Sequence, residues 1–492
     1  MNRNSWALGC VAVFWCVAAV WGAGITEPAG LTVSEMLVGA LHPPILTPAF
    51  SKDGLHLAYV TTQGGHSRVV NDGKAEEEHD AIAEKSLVYS PDGNRLAYIA
   101  QEGASWSAVV DGEAGTGADA VGGVCFSPDS KHVAYIASVG KLLHIVADGK
   151  AQADYRVVGH LAYSAAGDHL AYVADTSGRP FVVVDGQAGP EFDGIGKDGV
   201  LFSADGKRTA YVAMHGSKQL VVLDGKELPE HDGVLGLAFS PDGSHFGYTA
   251  HDGRMSSVQI DGNGEPKFPI AGGLTFSADG KRTAYLAASE EHKACAVVDS
   301  TPQEYYDGVS QLTFSSDGKR LAYIARNGLQ MFVVVDGKSL LEYGGIAAFV
   351  FSPDGTHLAY AANKGNRWFA VVDEQATECD AVLAEGIVFS PDGQRNAYCI
   401  EQGTQWEVVV DEQATGAYSA IGQNTLSFSA DGKHVACGVQ SGGKWFIWMD
   451  GRLSSAYDGI GANGPTFGAD GSLQFLAIKG GSLYRVKLAA GQ

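Results

Sequence analysis

The chain has 492 residues, 45% of them hydrophobic and 10% aromatic, and its 65 glycines indicate a large folded body with many turns. Its formal net charge is −22 and no segment concentrates lysine and arginine, which excludes nucleic acid as an expected partner. Aspartate recurs in short turn motifs, so the negative charge is spread over the body and favours solubility.

Residues 1–23 have the layout of a secretory signal peptide. Arg3 is their one charge, an apolar run of 16 residues extends from Trp6 to Trp21, and Ala23 lies among small residues where cleavage is expected. A retained membrane anchor is the less favoured alternative, because a spanning helix needs about 20 apolar residues. We therefore expect an exported protein, periplasmic or extracellular, with no membrane span after signal cleavage.

From residue 46 onward, one motif recurs twelve times: an aromatic residue, then serine (once glycine), then nearly always an Asp-Gly turn. The lead aromatic residues are Phe50, Tyr89, Phe126, Tyr163, Phe202, Phe239, Phe276, Phe314, Phe351, Phe389, Phe428 and Phe467. Their spacing of about 38 residues is close to the ~40 residues of a propeller blade. This period is the main evidence for the architecture.

The unit that begins at Phe202 shows how one repeat is expected to fold. Its β-rich runs at 208–213 and 220–223 are bounded by Asp-Gly turns, which predicts a four-stranded antiparallel meander. Runs such as 181–184 lack polar alternation, so both faces of each sheet must be covered by neighbouring repeats. We predict an all-β protein, a β-propeller of twelve four-stranded blades. A linear β-solenoid is disfavoured because its coils are shorter.

Two recurring motifs carry a family resemblance. Phe/Tyr-Ser-Pro-Asp-Gly followed by Leu-Ala-Tyr, at 89–98 and 351–360, resembles the WD40-like repeat of TolB-type propellers. Val-Val-Val-Asp-Gly, at 182–186 and 333–337, resembles exported bacterial proteins made wholly of such repeats. The resemblance covers about residues 45–488. It implies that the strand ending in the lead aromatic is innermost, and it implies no particular activity.

The number of rings is left open by the spacing. Most propellers have about 4 to 8 blades, so we favour two six-bladed rings, with blades 1–6 at 46–270 and blades 7–12 at 271–492. One twelve-bladed ring is the alternative, because no linker interrupts the repeats. The last repeat is one strand short, and the N-terminal segment 24–45 is a candidate for the strand that closes a ring.

Four tryptophans are candidate ligand-binding residues. Trp106, Trp368, Trp406 and Trp445 each stand five residues before the aspartate of a Val-Val-Asp-type run, and three of them belong to consecutive blades. An indole presents a large rigid face and one polar group, so a row of indoles on one rim could stack against a sugar or a peptide. Capping of the blade core is the alternative role.

Two polar residues break the pattern of the innermost strand. Three residues before the lead aromatic, most repeats have a small residue, but two have His160 and Gln311. If these strands line the axis, both side chains could project into the channel; hydrogen-bonded packing is the alternative. The turn aspartates are expected to stabilise turns, and the six histidines that follow the turns are expected to be solvated.

The leading functional hypothesis is an exported, non-catalytic propeller that acts as a binding or scaffold protein for a protein or a glycan. The chain has no nucleophile elbow, zinc helix, phosphate loop or EF-hand loop, so we expect no metal and no cofactor. The alternative is a propeller enzyme, a polysaccharide lyase or hydrolase with its site at a ring centre. Clustering of His160 and Gln311 with carboxylates in one pocket would favour that alternative.

Overall fold

The computed structural model describes residues 31–383, 386–461 and 464–490, and these residues form strands, turns and loops without a helix. The candidate signal peptide at 1–23 lies outside the described residues. Within them, no helix is long and apolar enough to cross a membrane. The prediction of an all-β protein is confirmed.

The strands form twelve sheets, which we number as blades 1 to 12. Strand β1 is Leu31–Ala40. The strands of blades 1 to 3 are β2 (Leu46–Phe50), β3 (Leu57–Gln63), β4 (His66–Asn71), β5 (Lys74–His79); β6 (Ala81–Ile82), β7 (Val88–Tyr89), β8 (Leu96–Glu102), β9 (Ser105–Val110), β10 (Glu113–Ala114); β11 (Ala120–Phe126), β12 (Val133–Val139), β13 (Leu142–Ala147) and β14 (Lys150–Tyr155). The strands of blades 4 to 6 are β15 (Val157–Tyr163), β16 (Leu170–Asp175), β17 (Pro180–Val184), β18 (Gln187–Glu191); β19 (Gly194–Ile195), β20 (Leu201–Phe202), β21 (Thr209–His215), β22 (Lys218–Leu223), β23 (Lys226–Glu227); β24 (Gly233–Phe239), β25 (Phe246–Asp252), β26 (Met255–Ile260) and β27 (Asn263–Gly264).

The strands of blades 7 to 9 are β28 (Ile270–Phe276), β29 (Thr283–Ala288), β30 (Ala294–Val298), β31 (Thr301–Pro302); β32 (Gly308–Phe314), β33 (Leu321–Asn327), β34 (Gln330–Val335), β35 (Lys338–Ser339); β36 (Gly345–Phe351), β37 (Leu358–Lys364), β38 (Arg367–Val372) and β39 (Gln375–Cys379). The strands of blades 10 to 12 are β40 (Ala381–Val382), β41 (Val388–Phe389), β42 (Asn396–Gln402), β43 (Gln405–Val410), β44 (Gln413–Tyr418); β45 (Ala420–Ile421), β46 (Ser427–Phe428), β47 (Val435–Ser441), β48 (Lys444–Met449), β49 (Arg452–Leu453); β50 (Gly459–Ile460), β51 (Thr466–Phe467), β52 (Leu473–Lys479) and β53 (Ser482–Ala490).

Each blade is an antiparallel meander in which four strand positions follow one another in chain order. The first strands of neighbouring blades contact each other, so the first position is the innermost and the fourth is the outermost. In blades 2, 5, 10, 11 and 12 the first position is split into two short segments that pair with the same second strand. The ring therefore has two end faces. The turn face carries the Asp-Gly turns between first and second strands, and the hairpin face carries the loops between second and third strands.

The core lies between the blades. In blade 8, Ala322, Tyr323 and Ile324 are consecutive and all buried, with at most 4% of each residue exposed. Alternate side chains of a strand point to opposite faces, so both faces of the sheet are covered. Tyr323 packs against blade 7, and Ile324 packs against Tyr360 of blade 9. The prediction that neighbouring repeats cover each other is confirmed.

The twelve blades form a single ring. At the junction between blades 6 and 7, Val258 and Tyr285 share one core cluster, as residues of adjacent blades do elsewhere. At the seam between blades 12 and 1, Leu476 packs with Tyr59, and Thr466 Oγ1 donates a hydrogen bond of 2.8 Å to the carbonyl of Asp53. The favoured prediction of two six-bladed rings is wrong, and the twelve-bladed alternative is confirmed. Residue 270, the predicted boundary between the two rings, lies at a junction between blades 6 and 7 like those between other neighbouring blades.

The N-terminal strand completes the last blade. Strand β1 pairs antiparallel with β53 and takes the fourth position of blade 12. Glu35 on β1 accepts hydrogen bonds from the Tyr457 hydroxyl at 2.9 Å and from Lys479 Nζ at 3.0 Å. A strand from the start of the chain and three from its end therefore share one sheet, so unfolding of this blade requires the two ends to separate.

Candidate functional site

The four tryptophans occupy one register position, the second residue of the third strand, near the hairpin face. The backbone of each tryptophan pairs with a residue at the end of the fourth, outermost strand segment of its blade. These partners are, in the order of the tryptophans along the chain, Ala118, Cys379, Tyr418 and Tyr457. All four indoles are half-buried. Trp368, Trp406 and Trp445 follow one another on blades 9, 10 and 11, and we call these three the tryptophan row.

Two indoles of the row, those of Trp368 and Trp406, extend into the gaps between blades. Trp368 packs against the core shared by blades 9 and 10, and Trp406 packs against the core shared by blades 10 and 11. Each side chain thus contributes to packing while part of its surface reaches solvent. The two roles considered from the sequence, core capping and rim exposure, are combined in the same side chains.

A polar side chain stands opposite every one of the four indoles. The cross-strand partners on the second strands are Gln101, Asn363, Glu401 and Gln440, all half-buried. Directly opposed residues of an antiparallel pair project to the same face of the sheet and lie close together. The residues at this partner position in the other eight blades are Thr62, Ser138, Asp175, Met214, His251, Ala288, Arg326 and Ile478. Only the tryptophan blades combine an indole with an amide or a carboxylate that is able to orient a bound polar group.

His160 and Gln311 occupy the same bulge of the innermost strand in blades 4 and 8. Their φ values are 53° and 51°, in the left-handed region that favours glycine. Glycines with φ in this same region stand at this position in five other blades: Gly123, Gly199, Gly236, Gly273 and Gly464. Gln311 Nε2 donates a hydrogen bond of 3.1 Å to the carbonyl of Phe349 on blade 9, whereas His160 is exposed. The two residues lie four blades apart, a third of the ring, so the structure does not bring them together.

A repeated side-chain contact that could not be recognised in the sequence follows each turn of blades 1 to 11 and links two strands of the same blade. In blades 1 to 11, the residue that follows the turn is His or Arg, and its side chain bonds the aspartate that ends the third strand, as in His357 Nδ1–Asp373 Oδ2 at 2.5 Å. The arginines also reach the following blade: Arg395 lies over the ring of Phe428 at 5.3 Å and donates to the carbonyl of Lys433 at 2.8 Å. We call the contacts that such an arginine makes with the following blade the blade clamp. The prediction that the six histidines are solvated is therefore incomplete, because each also bonds an aspartate of its own blade.

Turn aspartates are bound within their own turns. The Ser240 hydroxyl donates to Asp242 Oδ1 at 2.5 Å, and the backbone N–H of Ser244 donates to the same oxygen at 3.1 Å. These hydrogen bonds, that of Ser240 first, lower the pKa of Asp242 to about 2. Across the described residues, no group of three or more His, Cys, Asp or Glu side chains is arranged to hold a metal ion. The turns are thus explained by local hydrogen bonding.

One stretch of the chain matches a known family model. A model of the "WD domain, G-beta repeat" family matches residues 224–261, which run from the end of the third strand of blade 5 to the same point in blade 6. No curated protein sequence matches the chain.

Three solved structures illustrate the similarity. A eukaryotic initiation factor has 14% identity and a TM-score of 0.37 over 74% of this chain and 95% of its own. TolB from Acinetobacter baumannii has 15% identity and a TM-score of 0.24 over 71% of this chain and 82% of its own. The Dos1 propeller has 12% identity and a TM-score of 0.29 over 67% of this chain and 92% of its own. At TM-scores below 0.5, these similarities do not bear on function. From its own repeats and topology, the chain is a β-propeller with twelve blades, and one stretch of about one repeat matches the WD40 model.

Proposed function

We propose that this chain is an exported, non-catalytic binding or scaffold protein that recognises a protein or a glycan through the tryptophan row of blades 9 to 11. The observation that carries the proposal is the repetition of one arrangement, a half-exposed indole opposite an amide or carboxylate, in three consecutive blades. Such a row offers stacking faces at regular intervals along the rim, with a polar group beside each face.

Export is supported by the signal-peptide layout of residues 1–23. The proposal of a non-catalytic role rests on the separation of His160 from Gln311, since a ring-centre enzyme would need such groups close enough to act on one bond. Mass determination of the mature N-terminus after expression in a bacterial host would test the export proposal. A mature chain that begins at Met1 would contradict cleavage near Ala23.

Ligand screening of the mature protein on glycan and protein arrays, followed by the variant Trp406→Ala, tests the binding proposal. Removal of the central indole should weaken retention of the ligand at least about fivefold, because one aromatic stack contributes about 1 kcal/mol or more to binding. Met331→Ala is the matched control. Met331 has the same register position in blade 8 but lies outside the row, so retention should stay unchanged.

Circular dichroism and thermal unfolding establish that the variants fold. The proposal fails if Trp406→Ala retains the ligand as well as the wild type does, or if Met331→Ala weakens retention equally. Trp106→Ala adds a second comparison, because Trp106 is on blade 2, away from the row. It should leave retention unchanged if consecutive indoles are what the ligand contacts.

A further inference from the structure

A second repeated ion pair lies on the hairpin face. In six blades, a basic residue at the start of the third strand pairs with an aspartate in the loop that leads to the next blade. The pairs are His66–Asp80, Arg179–Asp193, Lys218–Asp232, Lys293–Asp307, Arg367–Asp380 and Lys444–Asp458. In blade 5, Lys218 Nζ lies 2.7 Å from Asp232 Oδ1, and the other carboxylate oxygen accepts the N–H of Gly253 at 2.7 Å. The hydrogen bond from Lys218 lowers the pKa of Asp232.

Blade 2 keeps the aspartate and lacks the cation. Asp119 occupies the same loop position and accepts the N–H of Gly140 at 2.7 Å, but Ser105 stands where those six blades have Lys, Arg or His. Over residues 31–383, 386–461 and 464–490, no Lys, Arg or His forms an ion pair with Asp119. Asp119 is exposed, so its carboxylate is available to a group from outside the chain.

A cavity occupies the place of the missing side chain. It has a volume of about 310 Å³ between blades 2 and 3, and Ser105, Gly117, Asp119, Glu102 and Val139 are among the residues that line it. The small residues open this space. Where blade 2 has Gly117, the equivalent residues of five other blades are Glu78, Glu191, Glu230, Glu342 and Glu378. Two large side chains of the repeat are thus replaced here by a serine and a glycine.

The surroundings of the cavity combine negative charge with apolar surface. Glu102 adds a second carboxylate, which His79 Nδ1 contacts at 2.7 Å from the side of blade 1. Val139 of blade 3 lines the cavity and is 54% exposed, and its cross-strand partner Leu142 is 40% exposed. Val157, on the next blade along the ring, is 57% exposed. Exposed aliphatic side chains beside an unpaired carboxylate indicate a partner that is both basic and apolar.

We propose that this cavity binds a lysine side chain from a segment of a partner protein. The ammonium group of that lysine pairs with Asp119, and aliphatic residues next to the lysine in the partner segment contact Val139, Leu142 and Val157. The incoming lysine takes the position that Lys218 takes in blade 5, so the repeat itself supplies the template for the interaction. Charge complementarity favours this occupant, because the net charge of the chain is −22. The site lies on blades 2 and 3 and is independent of the tryptophan row.

The test uses a fluorescein-labelled peptide, Val-Leu-Lys-Leu-Val with blocked ends, and the full mature protein. Fluorescence polarisation should show binding that weakens at least about tenfold when the lysine of the peptide is replaced by acetyl-lysine, which removes its charge. Addition of 0.5 M salt should also weaken binding, since a partly exposed ion pair is screened.

Ser105→Lys is the decisive variant. It rebuilds within blade 2 the lysine–aspartate pair that blades 5, 7 and 11 already contain, so it should fold normally and fill the cavity from within. Binding of the lysine peptide should fall at least about tenfold in Ser105→Lys and in Asp119→Asn. Ser105→Ala, which leaves the cavity open, is the matched control and should bind like the wild type.

Carbodiimide coupling gives an independent readout, because it joins the lysine amine of a bound peptide to a nearby carboxylate as an amide with loss of water. Peptide mapping should then place the link at Asp119 or Glu102. Equal binding of the lysine and acetyl-lysine peptides, equal binding by Ser105→Lys, or links spread over the surface would each overturn the proposal. Trp406→Ala should bind the lysine peptide normally, so failure of this site and failure of the tryptophan row are distinguishable.

Discussion

Substitution of Arg395 tests the blade clamp between blades 10 and 11. The guanidinium bonds Asp411 at 2.8 Å, donates to the carbonyls of Gly432 at 3.2 Å and Lys433 at 2.8 Å, and lies 5.3 Å from the ring centre of Phe428. The Arg395 side chain is 32% exposed, so the ion pair contributes at most about 1 kcal/mol. Each carbonyl bond adds about 1 kcal/mol and the cation–π contact about 0.5 kcal/mol. These contributions are not additive, and we expect Arg395→Ala to lower the stability of the junction between blades 10 and 11 by about 2–3 kcal/mol.

Hydrogen exchange followed by mass spectrometry measures this cost locally. Amides of the turn at 429–434 should exchange about 30- to 150-fold faster in Arg395→Ala, while blades 4 and 5 stay unchanged. Arg395→His should have a smaller effect, because His357 in the neighbouring blade keeps the bond to its aspartate and stacks on Phe389 at 6.3 Å. Lys433→Ala is the control, since Arg395 uses only its backbone carbonyl. Unchanged exchange in Arg395→Ala would refute the clamp as a source of stability.

Two further predictions concern ring closure and acid stability. Gly39→Ala would place a Cβ 2.7 Å from the Cα of Gly73, so β1 must shift, and we expect faster proteolysis of β1 and a loss of roughly 1–3 kcal/mol. Gly159→Ala, with nothing within 4 Å of the new Cβ, should be neutral; equal effects would contradict the steric argument. The pKa of Asp242 is lowered from 3.8 to about 2, first by the Ser240 hydroxyl. Its stabilisation is therefore complete above about pH 4 and lost as the pH falls through 2, so the Tm should drop over that window and depend less on pH in Ser240→Ala. A flat Tm between pH 4 and 2 would contradict it.

The candidate sites show where reasoning from residues reached its limit. The common register of the tryptophans follows from their fixed distance to a turn, and alignment of the repeats alone places Ser105 where other blades have a basic residue. Neither observation shows which side chains lie next to the tryptophans or next to Ser105. The amide opposite Trp368 and the cavity beside Asp119 depend on cross-strand and cross-blade contacts, which join residues far apart in the chain.

In the sequence, the bulge at His160 and Gln311 is indicated only because a polar residue stands where most repeats have a small one. Its backbone conformation follows from the register shift between the first and second strands of a blade. The environments of the two side chains differ because each depends on the blade that follows. Gln311 reaches a carbonyl of blade 9, whereas His160 lies beside Gly199 of blade 5.

By itself, the sequence determined the strands, the turns and the propeller architecture, because these depend on local turn chemistry and on sheets apolar on both faces, repeated at a constant period. Only the tertiary structure decided that the twelve blades share one ring, that β1 completes blade 12, and that clamps join successive blades. The physical reason is that ring size depends on the angle between neighbouring blades. That angle is set by the packing contacts of all twelve junctions together, with clamps added at five of them, and no single repeat contains it.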